Sequence, residues 1–270
     1  MSRPAGHDDD LALAVSLAEA ARPIALAHFR TDITALGKPG LEFDPVTEAD
    51  RGVEAALRAR LAEARPLDGV LGEEDAPAPS RSGRTWVIDP IDGTRAFIAG
   101  LPTWCVLIAL VDRSGPVLSV IDQPFTGERF IGVAGEAAWL DYSGARTELR
   151  TRACRELRDA LFSTTDPGLF SGAETSAVMS VAGAAKVRRY GLDAYAYAAL
   201  ALGGIDIVVE SGLKAWDVAA LIPVVTGAGG LVTDWAGGPC HGGGQVLATA
   251  TPELHAEALA LLKPAAARPA

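Results

Sequence analysis

Two carboxylates, a glycine and a threonine follow a short apolar run in this chain, and that combination suits metal and phosphate chemistry. Trp86, Val87 and Ile88 read as a buried strand, followed by Asp89, Pro90, Ile91, Asp92, Gly93 and Thr94. Pro90 is expected to stop the strand ladder, so that Asp89 and Asp92 sit near one point at its end. Such oxygens suit hard divalent cations. Gly93 allows close approach of the backbone to a ligand, and a helix starting at Thr94 would turn the Gly93 and Thr94 amides toward phosphate oxygens. A capped turn gives the same letters, since Asp-Pro and Asp-Gly are ordinary turn dipeptides. Three more acidic clusters fall where elements should end: Asp44-Pro-Val-Thr-Glu-Ala-Asp50, Leu71-Gly-Glu-Glu-Asp75 and Ala215-Trp-Asp-Val-Ala-Ala220.

These four blocks, in this order and over most of the chain, resemble the inositol monophosphatase-like family of magnesium-dependent phosphatases. The resemblance implies that Glu73, Asp89, Asp92, the carbonyl of Ile91 and Asp217 bind metal, Glu73 also counting as catalytic. It assigns activation of the attacking water to Thr94 and Asp50. The chemistry is coherent: a metal-bound water has a lowered pKa, and a threonine hydroxyl can relay its proton to a carboxylate. Two or three Mg²⁺ ions are implied, with Mn²⁺ as the alternative, and no covalent phospho-enzyme is expected. Taken singly, each block has a plainer explanation: Asp217 caps a helix, Glu73 and Glu74 form a solvated loop pair, and Asp50 serves a helix dipole. Those explanations do not account for the four blocks occurring together.

The residues after the central motif bear on the substrate. Arg95-Ala96-Phe97 resembles the histidinol-phosphate phosphatase branch of the family more than the inositol-specific one, and Arg95 either binds phosphate or forms a surface ion pair. Asp193 in Gly191-Leu-Asp-Ala-Tyr-Ala-Tyr197 and Glu210, seven residues before Asp217, would put two carboxylates beside the non-phosphate moiety. That favours a cationic substrate such as L-histidinol phosphate. A helix cap or a strand-end charge is the alternative reading of each. The alternatives are an inositol-1-phosphate or broad-specificity sugar or nucleotide monophosphatase, a 3′-phosphonucleotide phosphatase, and a catalytically silent regulatory member.

The elements that must position these groups follow from periodicity. Apolar residues from Leu11 to Phe29 recur at helical spacing behind Asp8, Asp9 and Asp10, with His28 as a core or dimer-surface residue. A second helix spans about 47–64, with capping-box spacing from Thr47 to Asp50. A surface loop follows at 75–84. Strands at 104–111, 116–123 and 129–133 suggest an antiparallel meander. After about Tyr142, strands near 160–163, 186–190, 205–210, 231–234 and 246–248 alternate with helices near 193–202 and 216–226, and a last helix begins at Thr251-Pro252. The class is therefore α/β: an α+β half over 1–141 with most metal ligands, and an α/β half over 142–270 with Asp217 and the substrate rim. The family resemblance implies a layered α-β-α-β-α sandwich and a homodimer.

Composition bounds the rest. With 270 residues and 49% hydrophobic content the chain can bury a large core, and a net charge of −10 argues against nucleic acid. A carboxylate pocket loaded with divalent metal still attracts a phosphate monoester. No uncharged apolar run of 18 residues and no basic-then-apolar amino terminus is found, so the expectation is a cytoplasmic protein without a membrane partner. Cys105, Cys154 and Cys240 lack metal-ligand spacing and read as reduced thiols.

Overall fold

The structure, a computed structural model, describes residues 7–32, 36–37 and 45–267. Asp44 of the first acidic block lies outside the described residues, as do 1–6 and 268–270 at the ends of the two expected halves. Helix α1 (His7–His28) carries the three aspartates in its first turn. It buries Ala14, Leu17, Ala18, Ala21 and Ala25. Helix α1 is long and apolar enough to cross a membrane by composition. Here its buried stripe packs on a second helix and a sheet, as a core helix does. Strands β1 (Leu36–Gly37) and β2 (Pro45–Val46) form a small antiparallel pair before α2 (Glu48–Ala64). Thr47 and Asp50 make the expected capping box at the start of α2.

The first large sheet has seven strands in chain order: β3 (Gly69–Gly72), β4 (Thr85–Asp92), β5 (Cys105–Asp112), β6 (Gly115–Gln123), β7 (Glu128–Val133), β8 (Trp139–Tyr142) and β9 (Ala145–Glu148). Strands β3 and β4 run parallel and the rest form the expected antiparallel meander. A short helix α3 (Thr94–Ile98) leaves the end of β4. The second sheet contains β10 (Leu161–Thr164), β11 (Val187–Tyr190), β12 (Ile207–Lys214), β13 (Leu231–Thr233) and β14 (Gly243–Thr249), in the order β11-β10-β12-β14-β13. Around it lie helices α4 (Ala173–Ala184), α5 (Tyr195–Ala201), α6 (Ala215–Val218), α7 (Leu221–Gly227) and α8 (Pro252–Leu262).

Strand alternation sets the layering. Trp86, Ile88, Val106, Ile108 and Leu110 face α1 and α2. Val87, Cys105, Leu107 and Ala109 face the opposite way, toward α5, α6 and α7, and meet Val208, Val246 and Ala248 of the second sheet there. Ile207, Val209 and Leu247 cover the far side of that sheet against α4 and α8. The result is the five-layer α-β-α-β-α sandwich. The three cysteines are buried and free.

Pro90 does not end its strand. Strand β4 continues to Asp92, with Asp89 opposite Leu107 and Asp92 opposite Cys105, so Pro90 and Ile91 together face one partner residue. A central strand tolerates proline at such a two-for-one bulge because no ladder donor is needed there. The extra residue matters, because positions three apart in a regular strand point to opposite faces. With the bulge, Asp89 and Asp92 both face the central helical layer, while Ile91 packs on the α1/α2 side. Strand β12 repeats the device, with Ser211 and Gly212 inserted between the pairs Glu210–Val246 and Leu213–Gly244.

Candidate active site

Both bulges open on one cavity of about 430 Å³, which lies where the two sheets and the middle helices meet. Oxygens of Asp89, Asp92 and Asp217 come within 4.8 Å of one another on its floor. Glu73 lines the same cavity but stands outside that tight group. Each carboxylate is held by backbone. The Ile91 N–H donates to Asp89 at 3.0 Å, the Ala194 N–H to Asp92 at 2.6 Å and the Lys214 N–H to Asp217 at 2.6 Å. The Ala194 bond ties the two sheets' loops together across the site.

Glu73 depends on a residue without a motif of its own. The buried Glu54 of α2 accepts the N–H groups of Glu74 and Asp75 at 2.9 and 3.0 Å, and the Arg58 guanidinium at 2.7 Å. Gly72 permits that approach, since a Cβ there would lie 2.3 Å from a Glu54 oxygen. Phe97 anchors α3 by packing edge-on against Trp104 at 4.8 Å and against Phe29 at 5.4 Å. Gly93, at φ +81°, brings the turn between β4 and α3 against Asp193, where a Cβ would meet the carboxylate at 3.1 Å.

Asp50 divides its two oxygens. Oδ2 accepts the N–H and the hydroxyl of Thr47 in the capping box, whereas Oδ1 lies 3.4 Å from the Thr94 hydroxyl. The Thr94 hydroxyl also reaches the Ile91 carbonyl at 3.1 Å. The capping box expected from Thr47 to Asp50 is formed, and the same carboxylate serves both the cap and the threonine.

The electrostatics follow from crowding acids away from water. Burial, then the charges of Glu73, Asp92, Asp217 and Asp50, push the Asp89 carboxyl well above the usual range. Burial, then Asp193 and Asp217, do the same to Asp92 against the opposing Ala194 hydrogen bond. Asp193 and Glu210 form a second acidic group on the cavity wall, and Asp193 adopts a left-handed φ of +48°. Burial raises Asp193 to about 6, opposed by Arg95 and Thr165. Burial raises Glu210 to about 8, although it accepts the Thr165 N–H at 2.7 Å, the Thr165 hydroxyl at 3.0 Å and the Thr164 hydroxyl at 3.2 Å. Arg95 forms the expected surface ion pair, 3.9 Å from Asp166, and it also lines the cavity.

Thr165, Tyr197, Lys214 and Trp216 also line the cavity, and sequence reasoning gave none of them a role. Tyr197 was detectable in principle, being one helical turn after Asp193. Thr165 reaches the site only through the pairing of β10 with β12, which no local pattern announces. The tight oxygen cluster fits a hard divalent cation: three carboxylates converge, and the backbone holds each of them.

The sequence profile of the Inositol monophosphatase family matches residues 7–266. A histidinol-phosphatase from Mycobacterium tuberculosis is 39% identical over 94% of this chain and 98% of its own length. The bifunctional phosphatase IMPL2 of Arabidopsis thaliana chloroplasts is 40% identical over 82% of this chain, which spans 63% of that longer protein. The structure of an inositol monophosphatase from Zymomonas mobilis superposes with a TM-score of 0.86 at 39% identity, covering 96% of this chain and all of the other.

Proposed function

Because this chain belongs to the inositol monophosphatase family of metal-dependent phosphatases acting on small phosphate monoesters, we propose that it hydrolyses L-histidinol phosphate to L-histidinol and phosphate. The observation that carries the substrate choice is the Asp193–Glu210 pair, a second acidic group facing the carboxylate floor across one cavity. A phosphate belongs at the floor, where metal reverses the local charge. The alcohol half then meets Asp193 and Glu210, which burial raises to about 6 and about 8, so a positive charge beside them would offset the cost of ionising them there. An ammonium or imidazolium supplies that charge, and an uncharged polyol does not.

Glu73, Asp89, Asp92, Asp217 and the Ile91 carbonyl would hold the metal, with Mg²⁺ favoured by the oxygen-only donors. Bound there, the metal supplies charge neutralisation of the phosphoryl oxygens and a lowered pKa for the attacking water. The remaining work belongs to the chain. Thr94 takes a proton from that water while passing its own to Asp50 Oδ1, 3.4 Å away. The water oxygen bonds to phosphorus as the bond from phosphorus to the alcohol oxygen breaks, and the departing oxygen takes a proton from solvent water to leave as the alcohol. Asp50 stays oriented because its other oxygen is fixed by Thr47. Gly93 and Arg95 border the phosphate, the arginine at the mouth contributing charge rather than a buried contact.

The test is phosphate release by the magnesium-loaded protein from L-histidinol phosphate and inositol-1-phosphate in parallel. The expected preference in kcat/KM is about a hundredfold or more for the first, roughly 2.7 kcal/mol in the transition state. Equal or reversed rates would favour the inositol or broad-specificity reading, to which the likeness to the Zymomonas mobilis enzyme lends support. Asp92→Asn should lower either activity by at least about two orders of magnitude. Unchanged release in that variant would mean that the phosphate is not freed at this carboxylate floor and would undermine the metal mechanism, whereas no release by wild type would return the chain to the silent, regulatory alternative.

A further inference from the structure

Tyr197 is 2% exposed, its ring is packed in the central core, and it lines the cavity. Its hydroxyl is buried and has no hydrogen-bond partner among the described residues. The other tyrosine of α5 shows the contrast: Tyr195 donates to Glu128 at 2.9 Å. A buried hydroxyl without a partner lowers stability, and phenylalanine would fill the same space without that cost. A tyrosine in such a place is explained if an acceptor arrives with the ligand. Glu210 is the charged group that acts most strongly on this hydroxyl, and Asp92 and Asp217 act on it as well. It is therefore within electrostatic reach of both the acidic wall and the carboxylate floor.

We propose that Tyr197 reads the alcohol half of the substrate, donating its hydroxyl proton in a hydrogen bond to an oxygen or nitrogen lone pair of that half. The phosphate is not the acceptor, because it belongs at the carboxylate floor, where metal reverses the local charge. An ammonium is not the acceptor either, having no lone pair, and it belongs to the carboxylates. The group addressed is a hydroxyl oxygen or a neutral ring nitrogen of the esterified alcohol. The inference rests on the phosphatase reading but not on which alcohol is esterified.

The test is Tyr197→Phe, compared with wild type in thermal melts and in kinetics. The substrates are the monoester that wild type cleaves best and ethyl phosphate, whose alcohol half offers no further acceptor. Tyr197→Phe should melt at or above the wild-type temperature. Its KM for the polar ester should rise about threefold to tenfold, the size of one neutral hydrogen bond, with kcat within about twofold and ethyl phosphate unaffected. A melting temperature several degrees lower would mean that the hydroxyl is satisfied within the protein and would overturn the proposal. So would unchanged kinetics, or an equal loss on both esters. Failure of the histidinol reading shows separately, as a wild-type preference for inositol-1-phosphate, and Tyr197 is then tested on that ester. A wild type that cleaves no ester would sink the phosphatase reading and this inference together.

Discussion

At the scale of single residues, the site is a set of acids that fold in a state they resist. Asp193 and Glu210 move from ordinary values of 3.8 and 4.5 to about 6 and about 8, and Asp89 and Asp92 move in the same direction. A group whose pKa is raised on folding binds more protons in the folded state, so its stabilising contribution is complete below the unfolded value and is lost as pH rises through the folded one. The chelator-treated protein should therefore melt at a lower temperature at pH 8 than at pH 5. Buried His255 works the other way: burial lowers its pKa below 6.5, so stability drops as pH falls through that range. One such group opposes four. Added Mg²⁺ should raise the melting temperature more at pH 8 than at pH 5, since the ligands must lose protons to bind it. Melts over this pH range with chelator and with metal check both signs.

Elements, rather than residues, decide how much was legible in advance. Replacing Glu54 by Gln puts an amide group among two backbone donors and Arg58, so the Gly-Glu-Glu loop should loosen. Metal affinity should fall about tenfold to a hundredfold in titration calorimetry, with the far-ultraviolet dichroism unchanged. The motif revealed Glu73 because its neighbours are adjacent in sequence. It could not reveal Glu54, whose backbone partners in the Gly-Glu-Glu loop, Glu74 and Asp75, are twenty and twenty-one residues away. The long amphipathic helices and alternating strands were readable from period alone, whereas α4, written Ala-Glu-Thr-Ser-Ala-Val-Met-Ser-Val-Ala-Gly-Ala, has little apolar contrast between its faces and was missed. Strands β3, β8 and β9 were missed as well; β9, written Ala-Arg-Thr-Glu, is exposed throughout and has no apolar alternation. The helix expected over 216–226 is split into α6 and α7. Helix α7 lies so close to β7 that a Cβ on Gly132 would sit 2.3 Å from the backbone carbon of Pro223. Gly132→Ala should cost about 3 kcal/mol in urea denaturation.

For the molecule as a whole, the central helical layer is common property. One continuous core joins Leu107 and Phe130 of the first sheet to Val208 and Val246 of the second through α5 and α7, and the candidate metal ligands come from the first sheet, with the loop after β3, and from α6 within that layer. Unfolding of the chelated protein should thus be a single transition, with tryptophan fluorescence and far-ultraviolet dichroism coinciding, and separate transitions would mean that the halves are independent units. The bulge at Pro90 and Ile91 also constrains how such a molecule can have arisen. Substitution changes which side chain a position carries but cannot change which face it points to, so no series of substitutions in an unbulged strand brings positions 89 and 92 to the same side. Adding or losing one residue does so in a single event. A lineage can therefore lose this site by deleting one codon while keeping every carboxylate, and a count of acidic residues would not detect the loss.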